Sequence, residues 1–447
     1  MTFASAERRQ EIISALGRGT VPQRSLDVFA VGLERFESAI DAELTRVAEG
    51  GAVFKAIRGE YGSGKTFFGR WLEESAKQRG FATTEVQISE TETPLHRLET
   101  VYRRAIERLS TSERFEGAFR SIIDGWFYGL EEETLAGGLV DPNDADELAA
   151  ATESLMEKRL SRITRKTPQF QLALRAYRRA QIAGDHAAAD GLIGWLAGQP
   201  QVGAAAKRAA GIKGDVDHFG ALSFLEGLLG ILRDSGYAGL VFVLDEVETL
   251  QRVRTDVREK GLNALRQLVD EVDGGRFPGL YLAITGTTAF FDGPQGVRRL
   301  EPLAQRLHVD FATDARFDNP RAVQVRLPGF SEERLVEVGR KIRDLYAIGR
   351  DSAERIAERV DDAYIVDLAR AVVGKLGGKV GVSPRIFLKK LVESVLDRVD
   401  QFADFDPRQD YDLKIQSEEL TRTEREARAA GAGGAAASAD DVELDDV

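Results

Sequence analysis

The sequence predicts an α/β fold, a parallel sheet with crossover helices that carries a phosphate-binding loop, a long helical insertion and a C-terminal helical lid. Five short apolar runs are separated by helical patterns, and runs apolar at nearly every residue suit strands covered on both faces. The first run leads directly into Gly59-Glu60-Tyr61-Gly62-Ser63-Gly64-Lys65-Thr66, which fits G-x-x-x-x-G-K-[ST] at every fixed position. A helical pattern then follows, so strand, loop and helix stand in the order that phosphate binding requires.

Residues 1–50 read as mainly helical, broken at Gly17-Arg18-Gly19-Thr20-Val21-Pro22. The strand candidates are Ala52–Ile57, Ala82–Ile88, Ala238–Leu244, Leu280–Thr285 and Ala322–Leu327. An ATPase core is expected over 51–330. Within it, 110–215 is rich in Ala, Leu, Arg and Glu and predicts a helical insertion, because far more chain separates Lys65 from Asp245 than one crossover needs. Residues 331–405 read as about three amphipathic helices, and 406–447 as a C-terminal segment. Its end, Ala429–Val447, is Gly/Ala-rich and then acidic, a composition that predicts a disordered tail.

The chemistry follows from the loop. Gly59, Gly62, Ser63 and Gly64 let consecutive backbone N–H groups face one anion, Lys65 reaches the β- and γ-phosphates, and Thr66 offers its hydroxyl to Mg²⁺. Leu240–Leu244 ends on Asp245-Glu246: Asp245 is placed to hold the Mg²⁺ shell and Glu246 to polarise the attacking water. Glu248 reads as a cap of the next segment. Thr285, and after it Thr287, are candidates to orient that water, although a Thr-rich turn closing a strand explains either one singly. Arg306 and Arg385 are candidates for stabilising transition-state charge, or are ordinary surface or ion-pair residues.

The motifs and their order resemble the AAA+ ATPases, over roughly residues 24–110 and 220–400. That resemblance implies an AAA+-like P-loop NTPase in which Val31–Phe36 lies against adenine. Asp245-Glu246 is then the second nucleotide motif, Thr285 the first sensor, Arg306 a finger acting across a subunit interface and Arg385 the second sensor in the lid. No diagnostic residue precedes Arg306. More narrowly, Ile57–Phe68, Leu244-Asp245-Glu246-Val247-Glu248-Thr249-Leu250 and Gly381-Val382-Ser383-Pro384-Arg385 are similar to the P-loop ATP-binding proteins of BREX phage-defence systems. This implies a bacterial antiphage role beside a methyltransferase, a phosphatase-like protein and other ATPases. The activity expected is ATP hydrolysis. A nucleotide-gated scaffold with negligible turnover and a signalling NTPase that oligomerises remain open.

The 447 residues contain no cysteine, which excludes disulfides, thiol catalysis and Cys-based zinc sites, and four scattered histidines with no ligand-spaced pair. No run approaches a membrane span and the N-terminus lacks a signal core, so a cytoplasmic location is expected. The net charge of −12 argues against a protein that coats DNA. One stretch is nonetheless basic: Lys158, Arg159, Arg162, Arg165, Lys166, Arg175, Arg178 and Arg179 have no acidic residue among them. With Thr167-Pro168 starting a second helix, these side chains fall on helix faces that suit either a phosphate backbone or the protein's own acids.

Overall fold

The computed structural model describes residues 5–138, 140–141, 144–163, 168–375, 384–420 and 425. Helices α1 (Ala6–Gly17) and α2 (Glu34–Ala48) precede strand β1 (Val53–Arg58) and helix α3 (Lys65–Lys77). Strand β2 (Ala82–Gln87) leads to α4 (Leu98–Glu107), α5 (Phe119–Ala136), α6 (Ala145–Ile163), α7 (Pro168–Ile182), α8 (His186–Leu196), α9 (Ala204–Ala210) and α10 (His218–Asp234). Then come β3 (Leu240–Asp245), α11 (Thr255–Asp273), β4 (Leu280–Gly286), α12 (Thr288–Asp292), α13 (Glu301–Arg306) and β5 (Gln324–Arg326). Helices α14 (Glu332–Ala347), α15 (Ala353–Arg359), α16 (Asp362–Lys375) and α17 (Pro384–Lys389) follow, and α17 runs on through a π-helical stretch, Lys390–Leu396.

Two compact units result, and neither is continuous in sequence. One comprises 1–35, 59–71 and 326–447; the other comprises 36–58 and 72–325. In the first, α14 packs on α16, and α1 on α14, α17 and the π-helical stretch. The apolar stripe of α14, Leu335, Val338, Ile342, Leu345 and Tyr346, is buried at helical spacing. The acidic tail and Gly381–Ser383 lie outside the described residues.

The second unit holds the sheet, five parallel strands in the order β2-β3-β4-β1-β5. Strands β1, β3 and β4 are buried along their whole length, as their continuous apolar runs require. Registers pair Arg58 with Gly286, Leu244 with Ile284 and Gln87 with Asp245, so the strands end together along one edge. The helical insertion shares the sheet's core: Trp126, Phe170, Tyr177, Trp195 and Phe224 form one buried cluster with Phe54, Phe242 and Leu282. Phe224 is the hub, with Phe170 at 5.1 Å and Trp195 at 5.2 Å between ring centroids.

The basic stretch resolves into ion pairs inside this unit. Arg159 holds Glu133 at 2.7 Å and Asp234 at 2.9 Å, and Arg179 holds Glu153 at 2.9 Å. Arg175 pairs with Glu157, and Arg178 with Glu131. Of the two readings open for these four arginines, the structure has the one in which the protein's own acids take them. Helix α7 does begin on Pro168; Arg165, Lys166 and Thr167 lie outside the described residues, as does the side chain of Arg162.

Strand β1 carries a cation into the core. Lys55 is 1% exposed, and its ammonium meets Glu43 of α2 at 2.5 Å and donates to the Pro320 and Ala322 carbonyls at 3.1 and 2.8 Å. Tyr281 of β4 donates to the same carboxylate at 2.7 Å. Burial lowers the Lys55 pKa against the pull of Glu43, and burial beside that carboxylate raises Tyr281. Glu43→Ala strands a buried ammonium and is expected to cost about 3–5 kcal/mol of unfolding free energy. Removing both charges with Lys55→Met and Glu43→Leu should cost less than the single change, a difference that urea denaturation of the three proteins measures.

Candidate phosphate loop and acidic edge

The loop from Gly59 to Lys65 has the backbone that its glycines predict. Gly62 and Gly64 stand at φ 77° and 91°, in the left-handed region that L side chains rarely adopt. Gly59 is packed so closely that an added Cβ would strike the Ser63 side chain and reach within 3.2 Å of the Leu327 carbonyl. Lys65 begins α3, where no acidic residue in the first turn competes with an anion for the positive end of the helix dipole. Its ammonium donates to the Gly59 carbonyl at 2.9 Å and the Glu60 carbonyl at 3.2 Å, and lies 5.1 Å from the Tyr61 ring centroid. Thr66 is the second residue of the helix and half-buried. The Ser63 hydroxyl is buried with no hydrogen-bond partner among the described residues. A glycine cradle, a cation, a helix N-terminus and an orphaned hydroxyl are together the donor set that fits a chain of phosphates.

The acidic pair belongs to the second unit. Asp245 ends β3 and is 4% exposed. Thr285, fully buried on β4, donates its hydroxyl to the Asp245 carboxylate and accepts from the Glu246 backbone N–H at 3.1 Å. The hydroxyl expected to orient water therefore braces the two acids. Glu246 adopts φ 59°, one of three non-glycine residues at positive φ among those described; this conformation costs roughly 1–3 kcal/mol and is typical of functional positions. Its carboxylate accepts from Gln87 Nε2 at 2.9 Å. Sequence reasoning missed Gln87. The only available signal was a polar residue closing an otherwise buried strand.

The remaining candidates have other partners. Thr287 caps α12, accepting from the Phe290 N–H at 3.2 Å. Glu248 lies buried in the 3₁₀ turn Val247–Arg252. Arg306 pairs with Asp270 of α11. In the first unit, Arg385 donates to the Glu419 carbonyl at 2.8 Å, and Lys390 holds the Glu419 carboxylate at 2.6 Å. Val31 and Leu33 are buried, and Gly32 between them, at φ 72°, lies against the Arg334 guanidinium. No group of three or more metal-ligating side chains occurs among the described residues. No helix among them is long and apolar enough to cross a membrane.

A family model, the BREX system ATP-binding protein BrxC/D, matches residues 4–415 of the chain. No curated protein matches it.

Thr285→Val removes both bonds that brace the acidic pair and buries the exchange. The expected cost is about 1–3 kcal/mol of unfolding free energy, with Thr285→Ser recovering most of it. Denaturant midpoints of parent, Val and Ser proteins test this, and a Val midpoint equal to the parent's would remove the bracing role.

Proposed function

The chain belongs to the BREX system ATP-binding protein BrxC/D family, and on that premise we propose that it is an ATP-hydrolysing P-loop protein of the AAA+ type, acting in a phage-defence assembly. The observation that carries the reading is the loop itself. Left-handed Gly62 and Gly64, the buried and orphaned Ser63 hydroxyl and Lys65 at a helix N-terminus together suit bound triphosphate. The parallel sheet adds support, since ligands of such sheets bind outside the carboxyl ends of the strands, where Asp245 and Glu246 stand.

In this reading Lys65 contacts the β- and γ-phosphates. Thr66 and Asp245 would hold Mg²⁺, which when bound compensates the charge on the phosphates. Glu246 takes a proton from water as its oxygen bonds to the γ-phosphorus and the bond to the ADP oxygen breaks. Thr285 keeps Asp245 and Glu246 in place. Arg385 and Arg306 remain the candidates for stabilising developing charge, Arg306 from a neighbouring copy in a homo-oligomer. A second reading, a nucleotide-gated scaffold with negligible turnover, draws on the Gln87 amide that engages the Glu246 carboxylate.

Lys65→Ala is expected to abolish ATP binding in a calorimetric titration, and unchanged affinity would remove the loop from the site. Glu246→Gln should keep ATP and lose turnover by about a hundredfold or more. Phosphate release at saturating ATP separates the readings: a parent protein with no measurable turnover favours the scaffold.

A further inference from the structure

A cleft of about 660 Å³ opens in the second unit where His96, just before α4, meets His218 at the start of α10 and Lys260, Asn263, Arg266 and Gln267 of α11. In a chain of net charge −12, its electrostatics are local and unusual. Two acids line it, and each has an arginine as ion-pair neighbour: Asp270 has Arg306, and Glu271 has Arg276 at 2.8 Å. Lys260 and Arg266 have no ion-pair partner among the described residues. The Arg266 Nε, the His96 Nδ1 and the Asp270 Oδ1 are buried without hydrogen-bond partners among the described residues, an arrangement that costs free energy. Arg97 and Lys260 add positive potential at His96, with Glu99 and Asp256 opposing it. Asp256 is engaged by Arg254 at 3.3 Å.

An exposed aromatic ring stands against His218 of the lining, one residue outside the lining itself. Phe219 follows His218, meets its imidazole edge-on at 5.3 Å between centroids, and is 71% exposed. His218 itself is held by Gln267 at 3.1 Å, so the pair is oriented from α11. Uncompensated cations, amide side chains that both donate and accept, and an exposed ring are the parts of a single-strand nucleic-acid platform.

We propose that this cleft binds a single nucleic-acid strand, with Lys260 and Arg266 on the phosphates and a base stacked on Phe219. The site is separate from the basic helices α6 and α7, whose described arginines are spent on Glu131, Glu133, Glu153, Glu157 and Asp234. It requires nothing of the phosphate loop, so it stands or falls apart from the nucleotide reading.

The test is fluorescence anisotropy of the full chain with a labelled oligothymidylate of roughly 20 nucleotides, longer than one platform covers, across a series of salt concentrations. The parent should bind. Lys260→Glu with Arg266→Glu should lower affinity at least about tenfold and flatten the log–log salt slope by roughly 1.4, near 0.7 per lost contact. Phe219→Ala should weaken binding about fivefold or more while leaving the slope unchanged. Lys260→Gln with Arg266→Gln gives the same direction with less disturbance of the fold, and thermal melting monitors all variants. A parent that does not bind, or variants that bind as the parent does, would overturn the proposal. So would charge variants that weaken binding while Phe219→Ala changes nothing and heparin competes as well as oligothymidylate, which would make the cleft a dock for an acidic protein.

Discussion

Burying two cations in an inner strand is the constraint on which the second unit depends. Strand β1 lies between β4 and β5, so neither edge reaches water, and a lone ammonium or guanidinium there would cost several kcal/mol. Lys55 is met by Glu43 and two carbonyls. Arg58, at the strand's end, is met by Asp292 of α12 and Gln324 of β5, with the Phe311 ring centroid 4.7 Å from the guanidinium carbon. Meeting these two charges ties α2, α12 and the approach to β5 to one strand. Gly59 is the next residue in the chain.

The acidic edge follows the same logic at shorter range. A left-handed Glu246 is tolerated because a strand and the following 3₁₀ turn determine its position: Thr285 of β4 takes its N–H, and the Thr249 hydroxyl donates to its carbonyl at 3.0 Å. The residue is thereby turned out of the strand direction, with its carboxylate at the edge where β2 ends on Gln87. Strain at this position is the kind expected where side-chain direction matters more than local stability.

Charge was the property most easily misread along the chain. The basic stretch looks like one surface when written as a sequence, yet α5, α6 and α10 bring glutamates and an aspartate from far positions to its arginines. The cleft between His96, α10 and α11 has the opposite history. Its residues are scattered over more than 170 positions, none forms a motif, and its two acids find their arginines, Arg306 and Arg276, outside the lining.

The strands, the loop and the acidic pair were legible in the sequence because each depends on local demands: apolar residues for a doubly covered strand, glycine for a left-handed backbone, acids closing a buried run. The order β2-β3-β4-β1-β5 was not legible, since pairing is chosen by how crossovers pack and not by any residue in a strand. Nor were the partners of Thr285, Glu246 and Arg306, which lie tens of residues away in sequence. The Gln87–Glu246 contact spans 159 residues. By itself the sequence determined which chemical groups the protein carries and the local backbone that presents the phosphate loop. Only the tertiary structure decided which charges neutralise one another, because ion pairing depends on distances of a few ångströms between elements that the linear order leaves far apart.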